Sequence, residues 1–261
     1  MAYDYEYFKK EVYILTKIDL NSYKEKQMKR RIDTLILRHH LTGYDAFVNL
    51  LKTDVDVLEE FVNYLTINVS EFYRNPDQWK IFEEKIIPVL KQNFSGNINI
   101  WSAACSTGDE PYTLSMILKK YYNNREFSIY ATDIDKQVLN QAQSGIYTKK
   151  ALSGLPKEYI DKYFTNVSEQ TYKVDPSLKT PVKFEKHNLL RDPYPKNVSL
   201  IVCRNVLIYF TEEAKEEIFN KFYEALAPGG ILFLGATEQM MYYKQIGYER
   251  MASFFFQKPK R

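Results

Sequence analysis

Three stretches of this sequence combine residue types and spacing that could do chemistry. The first is Trp101-Ser-Ala-Ala-Cys-Ser-Thr-Gly-Asp-Glu-Pro-Tyr112. It follows the short apolar run Ile98-Asn-Ile-Trp101 and leads into a helical pattern. Small residues at such a strand–helix turn let a ligand approach the backbone. Gly108 is its only glycine, so it is neither Gly-x-Gly-x-x-Gly nor a P-loop, and a plain tight turn would have the same composition. The second is Asp133, which ends the run from Phe127, 25 residues after Gly108. An acid at that place commonly holds a ribose hydroxyl pair. Asp135 is the better helix cap, which leaves Asp133 for a ligand. The third is Cys203-Arg204-Asn205, after the apolar run from Val198, with Tyr209 four residues on. Polar groups clustered there exceed what packing requires, although Arg204 could be a surface charge. Asn68-Val-Ser70-Glu-Phe-Tyr-Arg74 reads as a linker with a helix end. His39, His40 and His187 form no metal set, and no Ser/His/Asp arrangement is legible. Cys105 and Cys203 read as packing residues.

These residues must be positioned by two kinds of structure. The first 75 residues look all-helical, with one glycine and no proline. Ser22 with Glu25 reads as a capping box, and Met28, Ile32, Leu35 and Ile36 follow as a buried stripe. The opposite face is cationic: from Ser22 to His40 it carries Lys24, Lys26, Lys29, Arg30, Arg31 and Arg38 against Glu25 and Asp33. Val55, Leu58, Phe61, Val62, Leu65 and Val69 mark a second amphipathic helix. Asn75-Pro76 starts another, from about Asp77 to Lys91. Beyond Gly96 strands alternate with helices: strands at Ile98–Trp101, Phe127–Thr132, Val198–Cys203 and Ile231–Leu234, and helices at Pro111–Tyr122, from Asp135 to about Gln143, and from a Thr211 cap to Pro228-Gly-Gly. This alternation predicts a parallel sheet. Met251–Gln257 would add an antiparallel edge strand, and 145–187 reads as an inserted subdomain with a helix at Lys157–Phe164.

The chain has 261 residues, 45% of them hydrophobic and 26% charged, which excludes a disordered or fibrous chain. A net charge of +3 argues against general nucleic-acid binding. Two distant cysteines fit a reduced cytosolic protein. No stretch approaches the ~18–20 apolar residues of a membrane span. The aromatic content, 22 Tyr and 16 Phe, is high. Together the residues indicate a nucleotide-cofactor-binding α/β enzyme with a helical N-terminal part. They do not separate methyl transfer from hydride transfer.

Five of these pieces, in order, resemble the CheR family of chemotaxis receptor methyltransferases: Thr66-Ile-Asn-Val-Ser-Glu-Phe-Tyr-Arg-Asn75, Trp101 to Tyr112, Ala131-Thr-Asp-Ile-Asp135, Asn188-Leu189 and Cys203-Arg-Asn-Val-Leu-Ile-Tyr-Phe210. The resemblance implies an all-helical N-terminal domain over 1–75. It also implies a Rossmann-like class I methyltransferase domain over 76–261, with the small subdomain at 145–187. The cofactor would be S-adenosylmethionine (SAM), with no metal. By resemblance Asn68, Ser70, Arg74, Ala103, Glu110, Asp133, Asn188, Leu189, Arg204 and Asn205 contact it, Glu110 serving its amino group and Asp133 its ribose. Arg74 and Tyr209 would orient the reacting centre. The activity would be esterification of glutamate side chains on cytoplasmic receptor helices. Two departures are Ser70, where many members have Thr, and Asp109, where Glu is common. The stretch Thr165–Thr180 has no glycine, unlike the loop of members that dock on a receptor's C-terminal pentapeptide, so this chain resembles the pentapeptide-independent kind.

A glutamate carboxylate, which ordinarily titrates near ~4.3, is ionised at neutral pH and needs no general base. The cationic stretch Ser22–His40 could attract acidic receptor helices, although it could also be a solvated helix face. The expected protein is a monomer in the cytoplasm, recruited to membrane receptor clusters, with no nucleic-acid partner and no insertion into the membrane. Competing readings are a SAM enzyme acting on RNA or a small molecule, an NAD-binding oxidoreductase, and a signalling module without turnover.

Overall fold

The computed structural model describes residues 4–260. The chain forms two compact units: residues up to Asn68 together with 209–216, and residues 69–208 together with those from 217 onward.

The first unit holds α1 (Tyr5–Thr16), α2 (Glu25–Arg38), α3 (Tyr44–Thr53) and α4 (Val55–Thr66). Asp4 caps α1 by accepting from Tyr7 N at 2.9 Å. Asp54 caps α4 through the amides of Asp56 and Val57. Each cap satisfies donors that a helix start leaves open. The helices bury Phe8 and Val12, Met28, Ile32, Leu35 and Ile36, Phe47, Val48 and Leu51, and Phe61 and Leu65. Phe8, Phe47 and Phe61 meet with ring centroids 5.7–6.2 Å apart, and Tyr5 and Tyr44 pack beside Phe8. Part of the aromatic excess is therefore the core of this small unit, where few rings bury much area.

The Ser22–Glu25 capping box does not form. Ser22 ends a 3-10 turn capped by Asp19, and Lys24 precedes α2 with no side-chain cap. The backbone there is extended and pairs with 209–211: Lys24 N donates to Tyr209 O at 2.9 Å, Thr211 N donates to Ser22 O at 2.9 Å, and Tyr23 bridges Phe210. That pairing outweighs the local cap. The second amphipathic helix is shorter than its pattern, since α4 ends at Thr66 and Val69 is exposed.

The second unit begins with α5 (Pro76–Ile81), a π-turn (Phe82–Ile86) and α6 (Ile87–Asn93). The expected helix from Asp77 is there, but Pro88 lacks the N–H that a regular helix would need at that position, and the turn before it widens. The chain continues through β1 (Ile98–Ala103), α7 (Asp109–Leu118), β2 (Phe127–Asp133), α8 (Lys136–Ser144), β3 (Ile146–Thr148), α9 (Lys157–Tyr163), β4 (Phe164–Ser168), β5 (Thr171–Val174), α10 (Pro176–Lys179), β6 (Val182–Lys186) and β7 (Val198–Cys203). Next come α11 (Glu212–Ala225), which starts in the 209–216 segment of the first unit, β8 (Leu226–Leu234), α12 (Tyr243–Ile246), β9 (Glu249–Ala252) and β10 (Phe255–Gln257).

The large sheet has the order β6-β2-β1-β7-β8-β10-β9. The first five are parallel to their neighbours, and β10 is antiparallel to β8 and β9. From β1 the chain builds outward through β2 to β6, then returns to β7 on the other side of β1. Ligands bind at such a switch in strand order, outside the carboxyl ends of the strands. A second sheet, β3-β5-β4, is antiparallel. The core is again aromatic: Trp79, Phe82 and Phe255 pack on Phe233, while Trp101 packs against His187, Tyr194 and Phe222.

Three details differ from the sequence reading. The stretch 145–187 includes β6, a strand of the large sheet paired with β2. Its residues Lys183, Glu185 and Lys186 are exposed, as expected of a charged edge strand. β8 starts at Leu226, ahead of Pro228-Gly-Gly, with a register shift against β7 before the ladder resumes at Ile231. The run from Met251 is two strands rather than one.

Candidate cofactor site

Most candidate side chains of the second unit lie at the carboxyl ends of β1, β2, β6 and β7, while Ser70 and Arg74 precede α5 and Glu110 opens α7. After β1, Ala104 (φ 62°), Ser106 (φ 49°) and Gly108 (φ 89°) are left-handed. Two non-glycine residues in that region within one turn are strain that the surroundings must hold. They are held by Cys105 N donating to Thr132 O, Ser106 N to Asp133 Oδ2 and Gly108 N to Cys105 O, at 2.8–3.1 Å. A Cβ at Gly108 would stand 2.8 Å from Ala142 Cβ and 3.0 Å from the Tyr147 hydroxyl, so glycine is required there. Ala103 is fully buried under this turn.

Asp133 ends β2. Its Oδ2 accepts from Ser106 N at 2.8 Å and its Oδ1 from Asp135 N at 3.0 Å. The Ile134 amide also hydrogen-bonds this carboxylate, so of its roughly four acceptor directions one is open to a ligand. Asp135 is occupied as the cap of α8, accepting from Gln137 N at 2.8 Å. Burial pushes the Asp133 carboxyl up to about 6, against the backbone amides that favour its ionised form.

Glu110 lies in the first turn of α7. Its Oε1 accepts from Ser102 Oγ at 2.8 Å and its Oε2 lies 3.6 Å from Arg204 Nη1. Burial raises its pKa, and the Arg204 guanidinium opposes that rise. Arg204 follows β7 directly and is buried. Its Nη2 donates to Arg74 O and Gln78 Oε1 at 2.7 Å and to Asn75 Oδ1 at 3.3 Å, and its guanidinium lies 4.9 Å from the ring centres of both Trp79 and Phe233. Arg204 is therefore a buried anchor rather than a surface charge.

That anchor fixes the segment before α5. Phe72 is fully buried against Tyr147 and Phe164, and Tyr73 N donates to Thr113 Oγ1 at 3.1 Å. Ser70 hydrogen-bonds the buried Asp109 carboxylate. The Arg74 guanidinium donates to Val69 O at 3.2 Å. After β6, Asn188 Oδ1 accepts from Leu190 N at 3.0 Å and Leu189 is buried, its carbonyl held by the Tyr194 hydroxyl. Asn205 is left-handed (φ 63°), and its amide donates to Glu238. Ser70, Arg74, Ala103, Glu110, Asp133, Asn188, Leu189, Arg204 and Asn205 thus all belong to this unit. Asn68 and Tyr209 belong to the other unit. There the Asn68 amide donates to Thr66 Oγ1 at 2.9 Å, and the Tyr209 carbonyl accepts from Lys24 N.

Gln78 and Glu238, outside every motif singled out in the sequence, are buried in this unit, and Ser106, within the first motif, gains its role through its backbone amide. Gln78 is one polar position on a helix, and only its burial marks it. The only sequence signal at Glu238 is an acid four residues beyond a fully apolar strand end, which is no motif.

A family model described as "CheR methyltransferase, SAM binding domain" matches residues 68–253, and one described as "CheR methyltransferase, all-alpha domain" matches residues 3–66. This chain belongs to the CheR methyltransferase family. It is similar to the chemotaxis protein methyltransferase of Listeria monocytogenes, at 39% identity over 97% of this chain and 96% of that protein. The corresponding proteins of Borreliella burgdorferi and Escherichia coli K12 are each 32% identical. They cover 91% and 87% of this chain, and 88% and 81% of their own lengths.

The CheR chain is accordingly a SAM-dependent methyltransferase of chemotaxis, with a Rossmann-like sheet domain behind an all-α domain. Its residues fit that cofactor. Asp133 has an open acceptor direction for a diol hydroxyl. Glu110 offers a carboxylate to an ammonium group, and Arg74 offers a guanidinium to a carboxylate. Ser106 Oγ, Gln78 Nε2 and Arg204 Nε are buried without a partner among the described residues, and buried polar atoms of this kind are ordinarily satisfied. No helix among the described residues is long and apolar enough to cross a membrane.

Proposed function

We propose that this CheR methyltransferase esterifies glutamate side chains on the cytoplasmic helices of chemoreceptors. When bound, SAM supplies an electrophilic methyl group on a sulfonium. The residues that would hold it are Asn68, Ser70, Arg74, Ala103, Glu110, Asp133, Asn188, Leu189, Arg204 and Asn205, with Arg74 and Tyr209 orienting the acceptor carboxylate. That carboxylate is already ionised at neutral pH, so the protein's task is alignment and exclusion of water. His187 is not needed as a base: it packs between Trp101 and Tyr194, and burial lowers its pKa.

The observation that carries the substrate class is the cationic face of α2. Lys26, Lys29 and Arg30 are exposed there, with exposed Lys24 just before the helix, and a glutamate-rich helix is the complementary partner. Arg31 and Arg38 have other work. Arg31 lies over the Tyr64 ring and donates to the Tyr64 carbonyl, and Arg38 pairs with Glu60. Attraction by exposed charges is screened beyond ~8 Å at physiological ionic strength. Reversing Lys26 and Arg30 to Glu is therefore expected to slow receptor methylation several-fold at low salt, to flatten its salt dependence and to leave SAM affinity unchanged. Equal salt slopes for variant and wild type would assign this face to solvation alone.

The glycine-free stretch Thr165–Thr180 supports a pentapeptide-independent mode, with the enzyme acting as a cytoplasmic monomer recruited to receptor clusters. Labelled SAM with receptor-containing membranes tests the reaction. A receptor band should carry label that mild alkali releases as methanol, and alkali-stable label would contradict ester formation.

A further inference from the structure

β7 and β8 are parallel neighbours with Cys203 level with Leu234. Their ends therefore release two loops side by side, Arg204–Leu207 and Gly235–Glu238. Parallel strand ends leave amides unpaired, and a buried unpaired amide costs free energy. One side chain satisfies four of them. Glu238 Oε2 accepts from Gly235 N at 2.7 Å and Asn205 N at 2.8 Å, and Oε1 accepts from Val206 N and Leu207 N, both at 2.8 Å. Glu238 is 6% exposed. With all four acceptor directions used, it has none left for a ligand.

The neighbourhood is built for this carboxylate. A Cβ at Gly235 would stand 2.5 Å from Glu238 Oε2 and 2.9 Å from Asn205 N. Asn205 takes a left-handed conformation that is uncommon for residues other than glycine, and its amide is one of the four held. The preceding residue, Arg204, is tied down through its guanidinium. The loop is thus gripped at one end by a buried cation and at the other by a buried anion.

We propose that Glu238 is a positioning residue of the cofactor site: by gripping the amides of Asn205, Val206 and Leu207 it sets the Asn205 side chain for the cofactor without touching the cofactor itself. This rests on the reading that Asn205 contacts SAM. Glu238→Gln keeps the shape but turns two donors toward amides that are themselves donors, so the loop must shift.

The test is calorimetric binding of SAM and of S-adenosylhomocysteine to the full-length protein without a methyl acceptor, together with thermal unfolding of the unliganded protein. Glu238→Gln is expected to weaken both ligands about tenfold. Gly235→Ala, which displaces the same carboxylate, should do likewise. Asn205→Ala should weaken binding too, and adding Glu238→Gln to it should weaken binding no further, because the two act through one contact. A mere packing role would give additive losses and so overturn the proposal. Failure of both the Glu238→Gln and Gly235→Ala proteins to fold would also overturn it. Unchanged affinity in Asn205→Ala would instead remove the contact on which the proposal rests. Weakening in Asn205→Ala but not in Glu238→Gln would refute the proposal alone.

Discussion

Replacement of Arg204 by Met is expected to destabilise the protein by about 3–5 kcal/mol, the usual cost of removing one partner from a buried ion pair. Arg204 is 7% exposed and faces Glu110 at 3.6 Å. Without it, the Glu110 carboxylate stays in a site where burial already disfavours its charge. The Arg74 carbonyl and Gln78 Oε1 lose a donor at the same time. Methionine can still fill the slot between Trp79 and Phe233, so the loss is electrostatic more than steric. Denaturant unfolding measures it. Adding Glu110→Gln to Arg204→Met should recover part of the loss, because the uncompensated charge is then gone. A single variant within about 0.5 kcal/mol of wild type, the range of ordinary surface changes, would show that the pair does not hold the unit together.

The second large effect is on cofactor affinity. Asp133→Ala removes the charged acceptor from the proposed ribose site. A hydrogen bond to a charged group contributes about 1.5–3 kcal/mol, so SAM should bind about 10- to 100-fold more weakly. The wild-type pH profile offers an independent check. Because burial lifts the Asp133 carboxyl to about 6, the folded chain holds that proton more tightly than the unfolded one. Its stabilising effect is present at acid pH and is lost as pH rises from about 4 through about 6. Cofactor binding runs the other way: the ionised carboxylate is the better acceptor for a diol hydroxyl, so affinity should rise through pH 6 and level off near 7. Asp133→Asn should bind weakly with a flat profile. Wild-type affinity that does not vary between pH 5 and 8 would remove Asp133 from the ribose contact.

Much of this site was legible in the sequence because strand ends write short signatures. Asp133 and Arg204 stand at the carboxyl ends of apolar runs, and the small residues between Ala103 and Gly108 announce a turn that a ligand can approach. Asp135 was legible as a cap because its competitor Asp133 lies two residues back. What stayed hidden depends on partners distant in sequence. The extended pairing of Ser22–Lys24 with 209–211 overrode a local capping signal. β6 was hidden because an edge strand carries exposed charge where a central one carries Val or Ile. Glu238 carries no motif, and its role comes from amides on another loop. The Tyr and Phe excess became intelligible only as ring clusters around Phe8, Phe233 and Trp101.

The acceptor proposed for this enzyme is a receptor glutamate. The direct measurement is proteolysis and mass spectrometry of chemoreceptor cytoplasmic helices incubated with this protein and SAM. Glutamate-containing helical peptides should carry a single methyl mass, assigned to the side-chain carboxylate and removed by mild alkali. Methyl groups found only on nitrogen, or no methylated receptor peptide from an enzyme that binds SAM, would contradict a glutamate acceptor.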